Sequence, residues 1–107
     1  MKVALIGNMN NNFYSFFRYF KDLKIDVELL IFKNEPKIFN LKNDEPNKVN
    51  KTKIKKLSWG DRFDLIKTPK KKIYNDLKEY DVLIGCGLSP AFCYKAGLHL
   101  DIFVPYG

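Results

Sequence analysis

Three stretches of this sequence join glycine to hydrogen-bonding side chains just beyond apolar runs. They read Gly7-Asn8-Met9-Asn10, Gly85-Cys86-Gly87-Leu88-Ser89 and Pro105-Tyr106-Gly107. Glycine lets the backbone approach a ligand closely. An Asn carboxamide both donates and accepts, which suits a polyhydroxylated ligand. Ser89-Pro90 has the form of a helix start, Ser as cap and Pro as first helical residue, and the free N–H groups there can meet phosphate or sugar hydroxyls. The same glycines also serve as tight strand-to-helix turns, and at this level both uses stand open.

Other chemistries find little support. Cys86 and Cys93 are not a CxxC pair, and with His99 they give three metal-ligand types at no recognised spacing. No metal site is expected, and both cysteines read as buried free thiols. Gly7 is followed by Asn8, Met9 and Asn10, so the GxGxxG dinucleotide fingerprint is absent, as is a Walker motif. Asp22, Asp64, Asp81 and Asp101 fall at element boundaries, and no catalytic pair emerges. His99 is a poor base candidate because it stands at the start of a strand.

The elements that must position these stretches follow from periodicity. Lys2 to Ile6 is a continuous apolar run at the start of the chain, the mark of a strand covered on both faces. Phe13, Phe16, Phe17 and Phe20 then recur at helical spacing, with Leu23 extending the stripe and Asn11 or Asn12 as cap. Val27 to Phe32 is a second strand, completing a βαβ unit with a right-handed crossover. Residues 33–60 are rich in Lys and Asn, broken by Pro36 and Pro46, and read as a long solvated connection with a short strand near Ile54. Trp59 to Ile66 is a short element of undecided type. Thr68 as cap and Pro69 as first residue predict a helix whose face is Ile73, Tyr74, Leu77 and Tyr80. Lys70, Lys71 and Lys72 in its first turn oppose the helix dipole. Asp81 to Ile84 is a third strand, Ser89 to Ala96 a helix ended by Gly97, and Asp101 to Pro105 a last strand. The pattern is α/β: a Rossmann-like open parallel sheet with flanking helices. In such sheets ligands bind beyond the carboxyl ends of the strands, where the three stretches lie.

Length and composition bound the reading. The 107 residues make one domain, 46% hydrophobic and 29% charged, ordinary globular values. No apolar run approaches the ~20 residues of a membrane-spanning helix. The start carries too short an apolar core for a secretory signal, so the chain is read as cytoplasmic. Nineteen Lys and Arg against twelve Asp and Glu give a net charge of +7, but only Arg18 and Arg62 are arginines. Nucleic-acid readers lean on Arg, so nucleic acid is a disfavoured partner. Lysines could instead meet phosphate or an anionic lipid surface, or reflect an AT-rich coding sequence.

Residues 80–107 carry a resemblance. Tyr80-Asp81-Val82-Leu83-Ile84-Gly85-Cys86-Gly87-Leu88-Ser89-Pro90-Ala91, then Lys95-Ala96-Gly97, then Asp101-Ile102-Phe103-Val104-Pro105-Tyr106-Gly107, resembles the N-terminal domain of GT-B glycosyltransferases, especially the glycosyltransferase 4-like branch. Lys2 to Gly7 matches more loosely. The resemblance implies an acceptor-side domain of a hexosyltransferase-type enzyme of surface polysaccharide synthesis. Gly7 and Asn8 would line the cleft near the transferred sugar. Gly87 and Ser89 would contact acceptor or sugar, and Tyr106 and Gly107 would close the same edge. The chain stops where the family continues past "PYG", so the donor domain is expected to be absent, along with most of the nucleotide-sugar site. No cofactor is expected here, and these residues alone are expected to be inactive. A glycan or lipid-linked acceptor is the implied partner, with peripheral association at the inner membrane face and self-association through an uncovered apolar surface. The alternatives are a non-catalytic α/β binding module, a sugar-nucleotide epimerase and a basic nucleic-acid-binding protein.

Overall fold

The computed structural model describes residues 1–8, 12–35 and 53–105. Five strands form one parallel sheet: β1 (Lys2–Ile6), β2 (Asp26–Ile31), β3 (Ile54–Lys56), β4 (Val82–Gly85) and β5 (Ile102–Phe103). Their order is β3-β2-β1-β4-β5. Strand β1 lies at the centre because Val3, Ala4, Leu5 and Ile6 are apolar on both faces, and all four are buried. Leu5 stands opposite Leu29 on one side and Ile84 on the other.

The two-residue period of the strands divides the core. Val3, Leu5, Val27, Leu29 and Ile31 point to one face, where α1 (Asn12–Asp22) covers them with Phe13, Tyr14 and Phe17. Ala4, Ile6, Leu30 and Leu83 point to the other. There Ile73 and Leu77 of α3 (Lys70–Leu77) and Phe92 and Cys93 of α4 (Ser89–Lys95) pack around Trp59. A shorter α2 (Asp64–Lys67) precedes α3. From β1 the chain winds outward through β2 to β3, then returns to β4 and winds the other way. Crossovers of one hand in opposite directions put their helices on opposite faces, as observed. Each fully buried Leu or Phe contributes roughly 1.5–3 kcal/mol, so the two half-cores together hold the sheet between its helices. Among the described residues no helix is long and apolar enough to cross a membrane.

Several expectations need correction in detail. Phe16 is exposed, and Tyr14 takes its place in the buried stripe of α1. Phe13, Tyr14 and Phe17 centre the stripe so that Phe16 falls roughly 100° away on the helical wheel. Leu23 is exposed too, so the stripe ends earlier than expected. In α3, Pro69 is the cap position with no side-chain cap bond, so Thr68 does not cap and Pro69 is not the first helical residue. Tyr74, expected on the buried face, is exposed. The part of the lysine-rich connection that is described is only partly solvated. Ile54–Lys56 form an edge strand, but Leu57 and Trp59 are core, and the Trp59 ring packs tilted against Phe92, centroids 4.6 Å apart, while its indole N–H donates to Asp76. Residues 36–52 lie outside the described residues. The last strand is Ile102–Phe103 alone, shorter than the five residues expected, paired with Ile84 and Gly85.

Candidate site at the carboxyl ends of β1 and β4

The strand order reverses between β1 and β4, and beyond the two strand ends the chain departs to opposite faces of the sheet, the position at which open α/β sheets bind their ligands. Gly7, Asn8, Gly87 and Ser89 all stand at this edge. Tyr106 and Gly107, expected to close it, lie outside the described residues.

Gly7 has φ of 92°, a conformation that favours glycine, and its N–H donates to Leu30 O at 2.7 Å. A Cβ on Gly7 would lie 2.7 Å from Cys86 Sγ and 2.9 Å from the Phe32 ring. The close approach at Gly7 is therefore to the protein's own atoms. Asn8 is half-buried and ties two elements to this edge. Its Oδ1 accepts the Tyr14 N–H at 2.8 Å, closing the first turn of α1 from four residues before the helix starts. Its own N–H donates to Glu35 Oε2 at 2.7 Å.

On the β4 side, Cys86 N donates to Ile6 O at 3.1 Å, and Gly87 follows at φ of 59°. Ser89 was expected as the cap of α4 and is instead its first residue; Leu88 is the cap position. The Ser89 hydroxyl is fully buried and donates at 2.6 Å to Cys86 O, with Ile6 O also within reach at 3.3 Å. A hydroxyl has one proton to give, so it closes the turn after β4 on Cys86 O and sits packed beside the end of β1. Gly85 makes that possible: a Cβ there would lie 2.4 Å from Ser89 Cβ.

Glu35 is the polar residue of this edge that sequence reasoning passed over. Its second oxygen accepts the Phe32 N–H at 2.8 Å, so the carboxylate bridges the ends of β1 and β2. Burial pushes its pKa above the usual carboxylate range, partly offset by the N–H groups of Asn8 and Phe32 and by Lys56. A half-buried carboxylate with a raised pKa is equipped to accept a proton from a bound hydroxyl. The available signal was its position, three residues beyond a strand's end, but the surrounding lysines and asparagines made it read as loop.

Other candidates lie elsewhere. His99 is exposed, ahead of β5 and so at the opposite end of the sheet. Asp64 is buried near the end of β3, where it accepts the Gly60 and Asp61 N–H groups and pairs with Lys33 at 3.2 Å. Burial raises its pKa, but Lys33 and the two N–H groups outweigh that and hold it below the usual range. Cys86 and Cys93 are buried thiols outside any disulfide, and burial, with Asp101 adding to it, pushes the Cys93 thiol up to about 11. Among the described residues no three His, Cys, Asp or Glu side chains group as metal ligands. No protein-family model matches this chain, and neither a curated protein nor a solved structure does.

Proposed function

We propose that this chain is the acceptor-side domain of a GT-B-type glycosyltransferase, working in surface polysaccharide synthesis with a nucleotide-sugar donor held mainly by a second domain. The observation that carries the reading is where the strand order places the glycine-rich turns. Gly7, Asn8, Gly87 and Ser89, to which the resemblance assigns sugar and acceptor contacts, stand at the carboxyl ends of β1 and β4, at the reversal of strand order. A glycan or lipid-linked acceptor would enter there. Gly7 and Asn8 form the floor, Gly87 the β4 wall, and Glu35 supplies a carboxylate able to take the proton of the attacking hydroxyl. Ser89 acts beneath this edge, fixing the wall that the acceptor would touch. Exposed lysines would draw the domain to the anionic inner face of a membrane, where a lipid-linked acceptor resides.

A second reading is a non-catalytic α/β binding module. It is favoured by the contacts of Gly7 and Gly85, whose closeness serves internal packing, and by the inward turn of Ser89. The two readings part on one experiment. The isotope-labelled chain is titrated with a nucleotide sugar and with oligosaccharide acceptors, following amide resonances. The transferase reading expects the Asn8, Glu35 and Gly87 amides to move with an acceptor. An edge that stays silent to every sugar moves the conclusion to the binding module.

A further inference from the structure

We propose a second site, a phosphate-binding cavity between the first turn of α3 and the end of α4. It shares no residue with the β1–β4 edge and stands whether or not that edge takes an acceptor. The cavity measures about 310 Å³, and every charged side chain lining it is a lysine: Lys70, Lys71 and Lys95. The three differ in what holds them. Lys95 is half-buried and pinned, its Nζ donating to the carbonyl oxygens of both Leu65 and Thr68. Those bonds fix the ammonium in place without neutralising it. Lys70 and Lys71 are exposed, and among the described residues no carboxylate pairs with either. Their neighbour Lys72 provides the contrast, because it leaves the cavity and pairs with Asp76 at 3.1 Å.

Three uncompensated cations around one hollow repel one another, and two stand in a helix turn already carrying positive partial charge. An anion seated among them removes that cost. The remaining wall says what the anion is attached to. Tyr94 is 86% exposed and Tyr74 is 43% exposed, and both line the same cavity. Flat aromatic faces left in water beside a cationic hollow suit a ligand whose phosphoryl group meets the lysines while a planar or sugar ring lies on tyrosine. The backbone at Ala96 and Gly97 leaves room, since a Cβ on Gly97 would meet nothing within 4 Å. The ligand class is a phosphate ester, whether a free nucleotide-like molecule or a lipid headgroup.

The test uses the intact chain with inorganic phosphate, adenosine, adenosine 5′-monophosphate, and phosphatidylcholine vesicles with or without phosphatidylglycerol. The monophosphate should bind, adenosine should not, and Lys70→Gln/Lys71→Gln should weaken binding about tenfold or more, ~1.4 kcal/mol for each factor of ten. Tyr94→Ser should weaken the monophosphate and leave inorganic phosphate unchanged. A charge-matched control, Lys21→Gln/Lys78→Gln, should leave both unchanged. Binding only to phosphatidylglycerol vesicles, lost in the Lys70/Lys71 variant and kept in the control, assigns the phosphoryl group to a lipid and upholds the site. Equal weakening by the control pair would overturn it. So would absence of binding to phosphate, ester and vesicle alike. Lys70, Lys71 and Lys78 are exposed and Lys21 is half-buried, and unchanged melting curves verify that each variant folds.

Discussion

Glu28 and Ser89 are both buried polar side chains that tie strands together, one toward the amino end of the sheet and one at the carboxyl end. Glu28 does so by charge. The Tyr80 hydroxyl donates to it at 2.5 Å, Lys55 reaches it at 3.0 Å and Lys2 at 3.4 Å, so residues of β1, β2 and β3 and the entry to β4 meet on one carboxylate. Nearby, Asp81 accepts the Lys2 N–H and Asp101 accepts the Leu83 N–H, which adds two more carboxylate ties. Ser89 works at short range, through one hydroxyl and a glycine that lets it in. The difference teaches where function can reside. An end held by long charged side chains lines its own hollow with that network, as Lys55, Glu79 and Tyr80 do in a cavity of about 240 Å³. An end held by glycine turns and an inward hydroxyl keeps backbone at the surface.

The comparison breaks most sharply at Gly85. Gly85→Ala drives a Cβ into Ser89 Cβ, both atoms fixed by backbone, so the strand end or α4 must shift. The expected cost is about 3 kcal/mol or more, at the upper end for overpacking. Against a typical total stability of ~5–15 kcal/mol this lowers the denaturation midpoint severely. Adding Ser89→Gly removes the opposing Cβ and should recover part of the loss, and a double-mutant cycle measures the coupling. Additive losses would mean that the Gly85–Ser89 contact does not brace this end.

The amino end should fail differently, with pH. Burial raises the Glu28 pKa, but the Tyr80 and Lys55 hydrogen bonds and the lysine charges outweigh it, lowering the pKa from 4.5 to about 2. A carboxylate whose folded pKa is lowered stabilises the fold above its unfolded pKa. That contribution is lost as pH falls through the interval down to the folded value. Its size is roughly 3 kcal/mol, less where the partly exposed lysines are screened by salt. Glu28→Gln should therefore cost about that much at neutral pH by urea unfolding, and the variant and parent should converge as pH nears 2. A gap that persists unchanged to that pH would place the effect in packing instead of charge.

How much of this was legible follows the same division. The apolar runs of β1 and β4 and the aromatic period of α1 are local signals, and they located the sheet and its helices. Asp81 and Asp101 were readable as boundary residues, and both do close strand ends. Glu28 was not singled out, because a single acid inside Val27-Glu28-Leu29 looks like an ordinary outward residue. Its partners Tyr80 and Lys2 are distant in sequence, and only the parallel register brings them together. Glu35 was hidden for the same reason, since its role depends on Asn8, which lies on a different strand's end. Ser89 was recognised as a residue of consequence but given the wrong bond. Cap chemistry and a back-bond to strand carbonyls share one local pattern, Ser before Pro at a helix start, and only burial against Ile6 separates them.

The smallest effect lies where the two ends both use a positive φ, with different residues. Gly7 at the carboxyl end has φ of 92°, and Lys24, between α1 and β2 at the amino end, has φ of 61°. Lys24 is the one non-glycine residue in this region among those described, and it ends α1 where glycine is usual, with the Ile25 N–H closing back on Phe20 O. A side chain in the left-handed conformation costs roughly 1–2 kcal/mol, and glycine relieves it while adding freedom to the unfolded chain. Lys24→Gly should thus gain up to about 1 kcal/mol, read as a small rise in denaturation midpoint with unchanged slope. The reverse exchange at Gly7 should lose stability, because Cys86 and Phe32 fill the space a side chain needs. If Lys24→Gly destabilises instead, the turn is held by the lysine side chain, and the amino end relies on its charged residues even where backbone geometry argues against one.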